Sequence, residues 1–363
     1  MKHTKITAVF GTRPEAIKMC PLILELKNRK SVDVRVVVSG QHRELCREVL
    51  EYFGVTRELD LNIMSHGQSL FDLTEKILTK MTAELSENPP DVLLVHGDTA
   101  TAFASSLAAF YLGIKVGHVE AGLRSGNLFS PYPEEFYRRS IDAMSFFHFC
   151  PTELSMKNLL FEGILPERVY VTGNTVVDAL RYTLDENIAE RDTDDVLLLM
   201  TLHRRENRGE EMAAVFRAVK RATEKYPNLR VVFPVHPAKE VREAAAILSG
   251  VRGIELTEPL PLPRFHKLLR ECDLILSDSG GITEEAIALK KPLLLARDTT
   301  ERPEGLSVGG MLLVGTDEEA VFSLLCRLID SSEERERLCA QGNPFGDGHS
   351  SERIADILLS FFS

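Results

Sequence analysis

Residues able to move protons or hold anions recur in this chain at one kind of place. Asp98 sits in His96-Gly97-Asp98-Thr99, and Glu120 in His118-Val119-Glu120-Ala121-Gly122-Leu123-Arg124. Glu134 follows the proline-punctuated segment Ser130-Pro131-Tyr132-Pro133. Paired carboxylates are a recurring acid/base design, because burial and neighbouring charge set their proton affinities apart. Structural roles compete: Asp98 could cap the helix expected at 99–112, and Glu134 and Glu135 could be first-turn charges. Glu120 ends an apolar strand, where a carboxylate is rarely buried without a partner, so chemistry is the stronger reading there.

A second group suits anions. Ser277-Asp278-Ser279-Gly280-Gly281 runs into Glu284 and Glu285. Glycines let a phosphate approach the backbone, helix-start N–H groups point at it, and a first-turn Glu can accept from ribose hydroxyls. The rival is an ordinary Ser or Asp cap. Two glycines in a first turn cost helix stability, which favours a ligand. Gly11-Thr12-Arg13-Pro14 is similar in kind: Pro14 suits the first helical position, and Arg13 and Lys18 bring two cations, unless both are solvated. His203-Arg204-Arg205 joins an anion clamp to a titratable ring. For His236 a structural role and a ligand contact are equally open. The first loop lacks G-x-G-x-x-G and the chain lacks G-x-x-x-x-G-K-[ST], so a nicotinamide cofactor or a P-loop is unsupported.

The elements that must position these residues are short apolar runs. They fall at 5–10, 33–39, 91–96, 114–119, 146–150 and 168–172, then at 195–201, 229–235, 253–256, 273–277, 292–295 and 311–314. Helical periodicity fills segments such as 14–28, 99–112, 134–144, 153–162, 208–225 and 279–290, and an amphipathic helix is expected at 351–362. Such alternation means parallel sheets with crossovers, and two doubly wound α/β sheets fit better than one long one. The break is expected near Gly173-Asn174, ahead of the polar stretch Asp185 to Asp195. Open parallel sheets bind ligands beyond the carboxyl ends of their strands. Six of the expected strand ends carry the residues named above.

Composition bounds the rest. A chain of 363 residues, 44% hydrophobic and 27% charged, reads as two globular domains. A net charge of -11 argues against a nucleic-acid surface but leaves room for a local cationic pocket. The six cysteines form no C-x-x-C pair and mostly sit in apolar patterns, as expected of buried thiols in a reducing compartment. No signal-peptide pattern precedes the first strand, and no apolar run approaches the roughly 18 residues of a membrane span. A cytoplasmic protein without membrane contact is expected.

Together these motifs resemble the non-hydrolysing UDP-N-acetylglucosamine 2-epimerases of bacteria. The resemblance spans essentially the whole chain: GTRPEAIKM at 11–19, SGQH at 39–42, HGDT at 96–99, HVEAGLRSG at 118–126 and PEE at 133–135. HRREN at 203–207, PVHP at 234–237, SDSGGITEEA at 277–286 and RDTTERPE at 297–304 complete it. It implies a GT-B pair of Rossmann-like domains with the active site in the interdomain cleft. The final helix returns to the first, giving domains 1–172 plus 349–363 and 173–348. It also implies a homodimer and no metal or redox cofactor. By similarity, Arg13, Ser279, Gly280 and Gly281 hold the diphosphate, Glu285 the ribose and Phe265 the uracil. Lys18 and Arg138 bind substrate, and His203 contacts the phosphates or the departing UDP. Asp98, Glu120 and Glu134 match the catalytic carboxylates.

The implied reaction removes the C2 proton as UDP leaves C1, then returns both with C2 protonated on the other face. UDP-N-acetylglucosamine and UDP-N-acetylmannosamine are thereby interconverted, supplying cell-envelope polysaccharide synthesis. Some relatives bind a second, activating substrate molecule around positions matching Gln41, Gln68 and His236. Tyr137 departs from the usual Asn, Leu202 from a small residue, and Gly67 from an Arg of certain relatives. Rival readings are a hydrolysing epimerase releasing N-acetylmannosamine, a GT-B glycosyltransferase, and a UDP-sugar sensor. The full set of Asp98, Glu120, Glu134 and His203 speaks against the sensor, which needs only nucleotide contacts.

Overall fold

The computed structural model describes residues 3–65, 67–184, 194–204, 207–339 and 341–363. Arg205 and Glu206 of the expected anion clamp, and most of the polar stretch after Asp185, lie outside the described residues. Among the described residues the strands form two sheets, parallel at every pairing. The first contains β1 (Thr4–Phe10), β2 (Val32–Val38), β3 (Leu59–Asp60), β4 (Val92–His96), β5 (Lys115–Val119), β6 (Phe147–Cys150) and β7 (Val169–Val171). Its order is β3-β2-β1-β4-β5-β6-β7. The second contains β8 (Val196–Thr201), β9 (Leu229–Pro234), β10 (Ile254–Thr257), β11 (Leu274–Ser277), β12 (Leu293–Leu295) and β13 (Met311–Leu313), ordered β10-β9-β8-β11-β12-β13. These are two Rossmann-like sheets of the GT-B type.

Strands such as β4 (VLLVH) and β11 (LILS) are buried at every position, which is why they read as unbroken apolar runs rather than alternations. Strand order reverses between β1 and β4 in one sheet and between β8 and β11 in the other. Such reversals open a crevice at the strands' carboxyl ends. Gly11 to Arg13, Asp98, His203 and Asp278 follow those four strands, so each sheet aims its unusual loops at its own switch point. β3, at two residues, is too short for any periodicity to announce.

The chain divides into two compact units, Met1–Tyr182 with Pro344–Ser363, and Thr183–Asn343. The division comes ten residues after the expected break at 172/173 and five residues before the expected return at 349, for a physical reason. Asn174 N donates to Phe345 O at 2.7 Å, and Asp178 accepts from Ser350 N and Ser351 N at 3.2 and 2.7 Å. Arg181 reaches Gly348 O at 2.6 Å. Those bonds staple the helix Thr175–Thr183 to the C-terminal segment. The last helix, Ser350–Phe362, seats Phe361 against Phe146 and Phe147 at 5.2 and 5.0 Å.

Leu202 is 1% exposed and packs in the second unit's core with Met200 and Val215, so its bulk is absorbed there. Five cysteines are buried, and Cys339 is half-buried. Among the described residues no helix is long and apolar enough to cross a membrane.

Candidate active site

In the first unit the loop after β1 is locked from within. Glu15 accepts from Gly11 N at 3.0 Å, Thr12 N at 2.8 Å and Thr99 Oγ1 at 2.7 Å. Burial raises its proton affinity against those bonds. A Cβ on Gly11 would lie 2.0 Å from Ser39 Oγ and 2.6 Å from Thr101 Oγ1, so only glycine fits. The helix that follows runs Arg13–Lys27 with Thr12 as its cap, which moves Pro14 from the expected first position to the second. Arg13 is half-buried at the helix start.

Asp98 is not a helix cap. Thr99 caps Ala100–Tyr111 by accepting from Ala102 N at 3.1 Å. Asp98 instead receives Arg138 Nε at 2.9 Å and a second guanidinium nitrogen of the same residue. Arg138 is 4% exposed and also reaches Glu135 Oε2 at 3.3 Å, which accepts Ser125 N at 3.0 Å. Glu135 is thus a buried partner, while its neighbour Glu134 is half-buried at the start of the helix Glu134–Met144. Tyr137 does not disturb this arrangement: its ring stacks on Phe103 at 4.9 Å and 18°.

Glu120 has the most constrained environment. Its φ is +69°, in the left-handed region that a non-glycine residue seldom enters. Its buried carboxylate is hydrogen-bonded by Lys18 Nζ and by Asn174 Nδ2 at 3.1 Å, and His96 Nε2 stands 3.1 Å away. Lys18 is therefore the ion partner of a carboxylate. β4 and β5 pair with His96 opposite Val119, so Asp98 and Glu120 leave neighbouring strand ends. Gln41 accepts from Thr101 Oγ1 at 3.4 Å. Gln68 is engaged in its own loop by Ser65 N and Oγ at 3.0 and 2.9 Å.

The second unit spends its buried carboxylates on holding loops. Asp278, fully buried, accepts from His203 N at 3.0 Å and Arg204 N at 2.8 Å. It neither caps the next helix nor faces outward. His203, 39% exposed, stacks on the exposed His236 at 5.3 Å and 16°, which rules out a core role for His236. His236 Nδ1 accepts Ala238 N at 3.1 Å.

The two glycines precede the helix Ile282–Ala288 instead of lying in its first turn, and they differ. A Cβ on Gly280 would meet Glu301 Oε1 at 2.5 Å and an Arg302 nitrogen at 2.8 Å, whereas Gly281 has only Ser279 Oγ, at 3.8 Å. Gly280 is thus demanded by packing, and Gly281 has room for a ligand beside the half-buried Ser279. The two glutamates differ as well. Glu284 is held by Arg302 Nε, while Glu285 Oε1 bonds the fully buried His266 at 2.9 Å. His266 is steadied in turn by Thr183 Oγ1 at 2.6 Å. Phe265, one residue before it, packs against the cluster containing Leu269 and Ile282.

The residue roles inside RDTTERPE, at 297–304, are not legible in the sequence. Glu301 there takes Arg302 at 2.7 Å and Arg297 at 3.0 Å, with Arg204 3.6 Å away. Burial alone would raise its proton affinity, but the three guanidinium groups hold it far below the usual carboxylate range. Glu15, His96, Asn174, His266, Asp278 and Glu301 were likewise missed as participants. Glu15, His96, Asp278 and Glu301 lie inside quoted motifs, whereas nothing in the sequence signalled Asn174 or His266.

The family profile for UDP-N-acetylglucosamine 2-epimerase matches residues 24–359. The UDP-N-acetylglucosamine 2-epimerase of Bacillus subtilis is 45% identical, covering 99% of this chain and 96% of its own. A Neisseria meningitidis UDP-GlcNAc 2-epimerase bound to UDP-GlcNAc superposes with a TM-score of 0.93 at 42% identity, covering 98% of this chain and 100% of the other. An S. aureus MnaA–UDP co-structure gives 0.94 at 43%, covering 99% and 97%. With a profile and relatives matched over nearly its full length, the chain belongs to the UDP-N-acetylglucosamine 2-epimerase family.

Proposed function

We propose that this enzyme interconverts UDP-N-acetylglucosamine and UDP-N-acetylmannosamine without net hydrolysis. The observation that carries the reading is the pair Asp98 and Glu120, two carboxylates on adjacent strand ends, each tied to a buried cation. In the proposed reaction a carboxylate takes the C2 proton while the C1–O bond breaks, leaving 2-acetamidoglucal and UDP. UDP then re-forms the C1–O bond as a second carboxylic acid protonates C2 on the opposite face. The two acid/base groups this requires come from among Asp98, Glu120 and Glu134. Lys18 and Arg138 hold the carboxylates on station.

Departure of a charged diphosphate needs positive groups and N–H donors already in place. In the second unit His203, Ser279 and Gly281 offer these, with Gly280 shaping the loop, and Arg13 is the corresponding cation of the first unit's β1 loop. Glu285, oriented by His266, receives the ribose, and Phe265 lies beside the uracil. The UDP and UDP-GlcNAc named for the two solved relatives support this assignment.

Proton NMR of UDP-N-acetylglucosamine in deuterated water tests the reading. Deuterium at C2 of intact UDP-N-acetylmannosamine is expected. Free N-acetylmannosamine would instead establish the hydrolysing reaction, and absence of exchange would remove both. The reading extends to a cytoplasmic homodimer whose product enters cell-envelope polysaccharide synthesis. Exposed Phe110, Tyr111, Phe129 and Tyr132 support self-association, and sedimentation equilibrium measures it. Activation by a second substrate molecule near Gln41, Gln68 and His236 predicts a non-hyperbolic rate curve.

A further inference from the structure

Asp142 lies on the helix that also carries Glu134 and Arg138, and it has no place in the chemistry above. Its carboxylate is buried, with a relative exposure of 1% for the residue. Oδ1 faces His118 Nδ1 at 2.6 Å, while Oδ2 accepts Gly122 N at 3.3 Å and lies 2.8 Å from Arg124. Residues 118 and 122 flank Glu120 by two positions on either side. The other ring nitrogen of His118 faces Gly97 O at 2.7 Å, in the peptide that leads to Asp98. His118 thus bridges the Asp142 carboxylate and the Gly97 carbonyl, one at each ring nitrogen.

The remaining neighbours close the arrangement. His148 Nε2 bonds the backbone oxygen of Asp142 at 2.9 Å, and Arg124 is shared with Glu162 at 2.6 Å. Gly122 admits no side chain, because a Cβ there would lie 2.2 Å from Ser155 O. A left-handed glutamate persists only where its surroundings over-determine it. Here one carboxylate grips the chain both before and after that residue.

We propose that Asp142 is the positioning residue for both acid/base carboxylates: it holds Glu120 in its left-handed conformation and, through His118, fixes the peptide bearing Asp98. The kinetic consequence rests on the proposed roles of Asp98 and Glu120, whereas the geometric one does not. Asp142→Asn keeps the shape but removes the charge that binds His118 and Arg124 together.

The test is a crystal structure of full-length Asp142→Asn together with its steady-state kinetics and UDP affinity. Residue 120 is expected to leave the left-handed region and lose Lys18. The kcat should fall about 10–100-fold, the range seen when outer partners of active-site groups are removed, with KM and UDP affinity unchanged. Unchanged geometry at Glu120 overturns the proposal, and so does a displaced Glu120 with wild-type kcat. If Asp142→Asn does not fold, His118→Gln carries the same readouts. Failure of both to fold would assign the network to stability and overturn the proposal. An unmutated enzyme without C2 exchange would remove the proposed reaction alone, since the position of residue 120 still decides this inference.

Discussion

The two units differ in the carboxylates that follow their central strands. In the first, Asp98 and Glu120 each meet a cation at a strand end, and Asp98 keeps 27% of its side chain exposed. In the second, the buried carboxylates Asp278, Glu284 and Glu301 are consumed by backbone N–H groups and arginines. What faces outward there is a ring pair, a serine and an unobstructed glycine. In the function proposed above, the same sheet topology yields a proton-handling end in one unit and an anion-holding end in the other. The difference lies in which partner each carboxylate is given.

The largest test of that contrast is Glu120→Gln. It should lower kcat by about 10²–10⁴-fold, as loss of a general acid or base does, with UDP affinity by calorimetry unchanged. Equal losses in both would break the division of labour.

Next are the two glycines. Gly280→Ala forces a Cβ against Glu301 and Arg302 and should cost about 1–3 kcal/mol in denaturant unfolding. Gly281→Ala, at φ -66°, should leave stability within about 0.5 kcal/mol yet weaken UDP. The reverse pattern would mean that the ligand meets Gly280.

A third test concerns Asp142. Burial pushes its carboxyl up, but His118 and Arg124 outweigh that and hold it at about 2, below the usual 3.8. A depressed value stabilises the fold fully above about pH 4, and the benefit of about 2 kcal/mol fades as pH falls toward about 2. The stability gap between wild type and Asp142→Asn should therefore narrow across that window in acid unfolding. The smallest effect is expected at the exposed pair Arg242–Glu258: Arg242→Ala should change stability by less than about 1 kcal/mol and leave activity alone. A larger loss would place surface charge on a par with the buried cluster.

Much of the fold was legible because buried parallel strands are continuous apolar runs and their ends carried the unusual residues. The assignment of the helix Thr175–Thr183 was not, since Asp178 finds Ser350 and Ser351 more than 170 residues away. Asp98 and Glu120 could be singled out as carboxylates at strand ends. Glu284 and Glu285 could not be told apart by position, because Arg302 and His266 come from other segments of the second unit.

What the sequence determined by itself is therefore local: residue types, strand ends, and motifs dense enough to name a family. Only the tertiary structure decided which partner each carboxylate is given. The physical reason is that a carboxylate's chemistry is set by its nearest cation and its burial. For Glu120 that cation, Lys18, lies 102 residues away, and it is brought there by the ordering of parallel strands rather than by any periodicity along the chain.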